Sequence, residues 1–329
     1  MTNRASDITL LAAAFATVGA LAAAGCATAH DSSASGSTGG LGAPTTTAAG
    51  SPATTATVSK PDLTKLPLGD GKTTTSGPKR GYLYSCRAYN GQGGGAGVDG
   101  PWIGSKTFDY KNKATVDGKV KWPTAKVAFK TSGGSLLVTG NGLPVGATTG
   151  NFPIASSDDA YRYDRNPNSI SQQTVDLSLP SKPTKASSPQ CMGGEVGIAV
   201  NGVPIFTAVD AGGRDAIAHE VQDSCAGHPQ MSGIYHYHSG SPCLTKGGKA
   251  KGLIGWALDG FPIFGPRDSQ GRYLTNADLD ACHGRTETVT LNGKKTKTYV
   301  YRATAEFPYT VGCFKGTPAQ MQVIPGQVG

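Results

Sequence analysis

Two stretches of the chain repeat each other, and the repeat limits what the chain can fold into. "GIAVNGVPIF" at 197–206 matches "GWALDGFPIF" at 255–264 in Gly, Ala, Gly, Pro, Ile and Phe. The match runs on downstream, where Asp210, Gly213 and Arg214 answer to Asp268, Gly271 and Arg272. Each copy reads as a strand, a tight turn, a strand ending in Pro-Ile-Phe and then a polar turn. Asn201-Gly202 and Asp259-Gly260 accept the positive φ angles of a two-residue hairpin turn, and Asn292-Gly293 offers a third such site. Two related hairpins, 197–214 and 255–272, are therefore expected side by side, with the segment between them at one edge or mouth of a sheet. "AKVAFK", "SLLVTG" and "TVTLNGKKTKTYVYRA" add further short strands bounded by turn residues. Helical periodicity is scarce; one short helix is expected to begin in "TNADLDACHG" (275–284), capped by Thr275 or Asn276. The fold class is mainly β: antiparallel hairpins forming a sheet, sandwich or barrel, with few short helices and disulfide staples. The 47 glycines and the 16% charged fraction agree with a loop-rich β protein.

The N-terminus points to export. "MTNRASDITLLAAAFATVGALAAAGC" has a short polar start with Arg4, an apolar run from Ile8 to Ala24 and small residues before Cys26. That run is short for a membrane span and has the form of a signal peptide over 1–25. "LAAAGC" resembles the lipobox of bacterial lipoproteins, which implies a lipidated Cys26, attachment to a membrane through that lipid and a place outside the cytoplasm. The alternative is an ordinary secretory signal and a secreted protein. Residues 26–78 are dominated by Ser, Thr, Gly, Ala and Pro and read as a flexible tether, because such a composition buries too little surface to offset its ordering entropy. The globular domain is then expected over 79–329.

Export makes sense of the cysteines. Seven less Cys26 leaves six, and an even number in an oxidising compartment points to disulfides before thiolate ligands. Pairing neighbours along the chain gives Cys86–Cys191, Cys225–Cys243 and Cys282–Cys313. The net charge of +8 raises the question of nucleic acid. The lysines, however, are scattered through turn-like stretches such as Lys111, Lys113, Lys119 and Lys121, and Lys294, Lys295 and Lys297. No arginine–aromatic array accompanies them, so solvated loops are the better reading and no nucleic-acid partner is expected.

Histidines are few and crowded. His219, His228, His236 and His238 fall close together in a chain with only six. On a strand, positions i and i+2 share a face, so His236 and His238 project together while Tyr235 and Tyr237 point the other way. Two imidazoles on one face can reach a single ion, with His228 brought back across a turn as the third ligand. His219, His283 and Glu220 are candidates for a fourth ligand or a supporting group. Imidazole suits zinc and copper alike, so one transition-metal ion of either kind is expected. Met231, between His228 and His236, reads as packing rather than as a copper ligand. Two other readings stay open: metal-free acid–base chemistry by the same imidazoles, and a hydrogen-bonded structural cluster. A zinc site sharing Cys225 and Cys243 is a further alternative, although a bridge between those cysteines would instead pin the histidine strand.

Three ordered blocks resemble the YHYH domain family: "CAGHPQMSGIYHYHSGSPC", "GLIGWALDGFPIFGP" and "EFPYTVGCFKG". The resemblance covers roughly 190–316 and implies an exported bacterial protein. It carries over His228, Tyr235, His236, Tyr237 and His238 as motif positions and assigns no reaction. Asp259, whose counterpart in the first repeat is Asn201, reads as a turn residue first and as a site carboxylate second.

Three functions follow from these residues: a metal-binding envelope protein, a metal-assisted hydrolase of an envelope polymer or small ester with Glu220 or Asp259 as base, and a metal-free, disulfide-stabilised binding or adhesion module. The chain has no His-Glu-x-x-His helix, Gly-x-Ser-x-Gly elbow or phosphate-binding glycine loop, which removes several common enzyme classes.

Overall fold

The computed structural model describes residues 60–93, 97–246, 249 and 251–325. The expected signal peptide, the expected lipidation site Cys26 and the expected tether up to residue 59 lie outside the described residues.

The repeated hairpins form, but through a different turn from the one Asn-Gly and Asp-Gly imply. Strand β10 (Glu195–Ala199) reaches β11 (Pro204–Phe206) through a loop in which Gly202 N donates to Ala199 O at 2.9 Å. Only the glycine, at φ +87°, is left-handed; Asn201 is not. Strands β14 (Leu253–Ala257) and β15 (Pro262–Phe264) repeat this geometry, with Gly260 at φ +83°. Both are three-residue loops closed by a left-handed glycine. The residue before each glycine serves as an anchor instead: Asn201 Nδ2 donates to Tyr237 Oη, and Asp259 accepts from Tyr301 Oη. The loops also press on neighbouring strands. A Cβ on Gly202 would lie 2.9 Å from Val127 Cβ, and one on Gly260 would lie 2.4 Å from Pro180 O. Only Asn292-Gly293 makes the expected two-residue turn, with φ of 49° and 76°, between β16 (Gly284–Leu291) and β17 (Lys294–Arg302).

Adding β12 (Gly227–Pro229) and β13 (Tyr235–Tyr237) completes an eight-stranded sheet in the order β12-β13-β11-β10-β14-β15-β17-β16. This order is two copies of one four-strand unit placed back to back. At the centre β10 and β14 run antiparallel with Gly197 opposite Ala257, Ile198 opposite Trp256 and Ala199 opposite Gly255, a register symmetric about the repeat-equivalent pair Ile198–Trp256, where a local two-fold axis passes. Outward, β11 pairs parallel to β13 with Ile205 opposite Tyr237, and β15 pairs parallel to β17 with Ile263 opposite Tyr301. The histidine segment thus lies at one end of the sheet, as the repeat implied.

A second, four-stranded sheet has the order β18-β9-β7-β6, built from β6 (Val127–Ser132), β7 (Ser135–Gly140), β9 (Gln173–Pro180) and β18 (Gln322–Pro325). Strict alternation along β9 buries Val175, Leu177 and Leu179, which join Val196, Ile198, Ile205 and Ile263 of the large sheet in one core. Small ladders close the remaining loops: β2 (Thr73–Thr74) with β3 (Leu83–Tyr84), and β5 (Val120–Lys121) with β8 (Thr148–Thr149). Two one-turn helices, α1 (Ala216–His219) and α2 (Pro242–Thr245), flank the histidine segment. Asn276–Asp278 is a 3-10 turn whose capping box uses Thr275 and Asp278. Among the described residues no helix is long and apolar enough to cross a membrane.

Folded structure begins earlier than composition implies. Residues 60–78, expected as tether, are folded: β1 (Leu66–Pro67) pairs with β4 (Thr107–Phe108), and Leu66 and Leu68 are buried. Gly69 N donates to Asp215 Oδ2 at 2.8 Å. A few leucines and one acceptor far along the chain hold the segment, and a composition average does not register them. Disulfides join Cys86–Cys191, Cys225–Cys243 and Cys282–Cys313, the neighbour pairing expected from the sequence.

Candidate metal centre

Adjacent strands bring the three motif histidines together. His228 on β12 stands directly opposite His236 on β13, and His238 follows on the same face two residues later. Tyr235 and Tyr237 point to the other face, where Tyr235 Oη donates to Asp223 Oδ2 at 2.8 Å and Tyr237 meets Asn201. The Cys225–Cys243 bridge ties the two ends of this segment, and Ser241 Oγ donates to Cys225 O at 2.6 Å. Imidazole orientation is set from behind. His236 Nδ1 donates to Ile234 O at 3.0 Å, and His238 Nδ1 donates to Thr207 O. Phe206 stacks on His236 with centroids 4.0 Å apart.

These bonds decide the tautomers. With the proton on Nδ1, a neutral imidazole presents a bare lone pair on Nε2. His236 Nε2 and His238 Nε2 nevertheless lie 3.0 Å apart, and His238 Nε2 is 3.2 Å from His228 Nε2. His228 can donate a proton to one of the others and cannot satisfy both. Two imidazole nitrogens about 2.0–2.1 Å from one tetrahedral ion stand about 3.3 Å apart, so the observed spacing fits three ligands of a single ion. Burial first, then the neighbouring imidazoles, pushes His228 and His236 well below the usual histidine range. Burial lowers His238 to about 4. All three are therefore neutral, the state that binds metal.

Glu220 joins them. Its Oε2 is 3.3 Å from His238 Nε2 and 3.4 Å from His228 Nε2. It is placed by the end of α1, where Asp215 caps the first turn and Val221 N donates to Asp164 Oδ2 at 3.1 Å. Lys113, grouped with solvated lysines from sequence, is buried instead and donates to Glu220 O and Gln222 Oε1. Burial, opposed by Glu220, Asp215 and Asp164, lowers its ammonium to about 7. Nothing local in the sequence marks Lys113, because the partners that desolvate it lie more than a hundred residues away.

The remaining candidates lie elsewhere. His219 is clamped between Asp70 and Asp99, each at 2.8 Å, and despite burial those carboxylates hold it above the usual histidine range. His283 contacts Thr304 Oγ1 at 3.1 Å in the second half of the sheet. Asp259 is a buried acceptor for Tyr301 Oη and for the amides of Lys315 and Gly316 at 3.0 and 2.9 Å. Cys225 and Cys243 are bonded to each other, not arranged as ligands. Met231 is 88% exposed, which removes the packing role expected of it.

The two-fold repeat supplies an internal control. Gly227 opposite Tyr237 corresponds to Gly284 opposite Tyr301, and Tyr235–Asp223 corresponds to Tyr299–Asp280. In that register His228, His236 and His238 fall on Arg285, Val300 and Arg302. The second copy fills the place with an Arg–Glu–Arg cluster: Arg285 Nη2 and Arg302 Nη2 reach Glu287 at 2.7 and 2.6 Å. Arg302 Nη1 donates to Gly265 O at 3.1 Å, where His238 uses the carbonyl of the equivalent Thr207. The four-strand unit therefore closes without histidines, and the trio answers to something other than the demands of the sheet.

The trio reaches a cleft of about 650 Å³ whose walls include Phe206, Thr207, Arg87 and Arg165. Such a volume admits a small molecule or a chain end. Compared with known proteins, the chain matches no curated protein and no solved structure. Its match is to a family model described as YHYH protein, over residues 176–271, which takes in the histidine segment and the second hairpin but stops before the 306–316 block. The part of the chain that is similar to the YHYH family, residues 176–271, holds all three histidines.

Proposed function

We propose that this is an exported protein, anchored to a membrane through a lipidated Cys26, that binds one transition-metal ion with His228, His236 and His238. The observation that carries the metal reading is the 3.0 Å approach of two Nε2 atoms whose Nδ1 protons are both committed to backbone carbonyls. Two lone pairs at that distance repel unless a cation lies between them. The neutral state of all three imidazoles argues against a shared proton as that cation and favours a metal. Glu220 supplies the negative charge that a divalent ion needs in a buried place. Zinc and copper both suit an imidazole set of this kind. Export is supported by three disulfides, which persist in oxidising compartments.

The cleft favours a second reading on the same residues. Three protein ligands with an open side toward a cavity is the arrangement of a hydrolytic metal site, in which the ion would lower the pKa of a bound water. Glu220, beside two of the ligands, is the base in that reading.

Metal content separates these readings from a metal-free cluster. The full chain, purified from an oxidising compartment without a histidine tag, is expected to carry near one equivalent of metal by mass spectrometry. A His236→Ala/His238→Ala variant should lose it. A parent chain that takes up neither zinc nor copper on reconstitution would sink both metal readings.

A further inference from the structure

The charge of the cleft is not balanced. Arg87 and Arg165 line it and are exposed, whereas His228, His236 and His238 are buried, so the guanidiniums stand nearer the mouth and the imidazoles deeper. Among the described residues neither arginine has an ion pair, while Arg214, Arg272, Arg285 and Arg302 each have one. Each unpaired guanidinium lies over a tyrosine ring instead, Arg87 over Tyr89 and Arg165 over Tyr161, both 5.4 Å from the centroid. Stacking of this kind holds a guanidinium in place and leaves its edge donors for another partner.

The acidic groups of the cleft are already engaged. Asp210 is paired with Arg214 at 2.9 Å and accepts the amide of Gly212 at the same distance. Glu220 lies against His228 and His238. What remains on offer to a ligand is positive at the mouth and, with an ion at the imidazoles, positive at the inner end as well.

We infer that the cleft takes a small anionic ligand whose carboxylate or phosphate group is held by Arg87 and Arg165. This rests on the metal reading only for the inner contact; the arginine contacts stand without it. Arginine binds both groups through paired N–H donors, so the shared chemistry is that of an oxyanion.

The test is calorimetric titration of the full chain with inorganic phosphate and, separately, with succinate, in zinc-loaded and metal-free forms. The comparison is an Arg87→Gln/Arg165→Gln variant, in which both changes fall on exposed side chains. The parent is expected to bind one of the two anions, which identifies the group, and the variant to bind it at least tenfold more weakly at unchanged metal content. Equal affinity in parent and variant, or no binding of either anion by the parent, overturns the inference. Failure to load either zinc or copper overturns the metal reading alone, because arginine-dependent binding is still read in the metal-free arm.

Discussion

At the scale of single residues, the histidine centre depends on what each imidazole does with its second nitrogen. Carbonyls of Ile234 and Thr207 take the Nδ1 protons and aim two Nε2 lone pairs at one point. His283 shows the contrary use of the same residue type. It is buried in a left-handed conformation, φ 68°, and burial, opposed weakly by Asp280, lowers its imidazole to about 3. Since that value is below the ordinary 6.5, the unfolded chain takes up the proton first. The stability due to neutral His283 is present above about pH 6.5 and is lost as pH falls toward about 3. Asparagine tolerates the left-handed region and does not titrate. His283→Asn should therefore flatten the acid limb of stability against pH, removing about 1 kcal/mol per pH unit of slope below pH 6.5. Urea unfolding at pH 7, 6 and 5 measures it, and parallel slopes in parent and variant would refute it. The alternation in Tyr-His-Tyr-His made the histidine face readable in advance, because strand periodicity alone puts His236 and His238 together. Lys113 was unreadable, since its burial is made by distant backbone and by Gln222.

Among elements, the β12–β13 hairpin is short: each strand has three residues, whereas β16 has eight and β17 nine. A hairpin of that length is marginal by itself, so its partner strand β11 and the Cys225–Cys243 bridge must hold the histidines in register. The bridge spans 18 residues, and closing a loop of that size restricts the unfolded chain by about 3 kcal/mol. Cys225→Ser/Cys243→Ser is expected to lower unfolding stability by about 2–4 kcal/mol in urea. It should also weaken zinc binding, read by competition with a chromophoric chelator, because the freed segment must be ordered before it can ligate. A stability loss without any loss of affinity would show that β11 alone sets the site. The same length difference explains why only part of the repeat was visible in sequence. The hairpins around Asn201 and Asp259 align without gaps, but the longer β16–β17 hairpin shifts the spacing, and Arg285, Val300 and Arg302 share no residue type with the histidines they replace.

Across the whole molecule, the local two-fold sheet accounts for the mainly β architecture that the repeats implied, and the N-terminal segment accounts for what they did not. Residues 60–78 were indistinguishable from tether by composition, yet they reach the support of the histidine trio. Asp70 bonds His219 Nε2 at 2.8 Å and accepts from Asp215 N at 2.9 Å, so it grips α1 at both its cap and its last residue. Glu220 is the next residue along. Leu66 and Leu68 bring burial worth about 1.5–3 kcal/mol each, which the chain loses if the segment is removed. A chain beginning at Lys79 should therefore unfold at least about 3 kcal/mol more easily in urea than one beginning at Lys60. Its zinc affinity should fall as well, since α1 loses one of the two carboxylates that clamp His219 and Glu220 loses that backing. Asp70→Asn in the full chain divides the two effects: it keeps both leucines, so it should cost less stability than the truncation, while the loosened α1 still lowers zinc affinity. If the shortened chain and the variant both keep parental zinc affinity, the centre is held by β11–β13 alone and the N-terminal segment only covers the core.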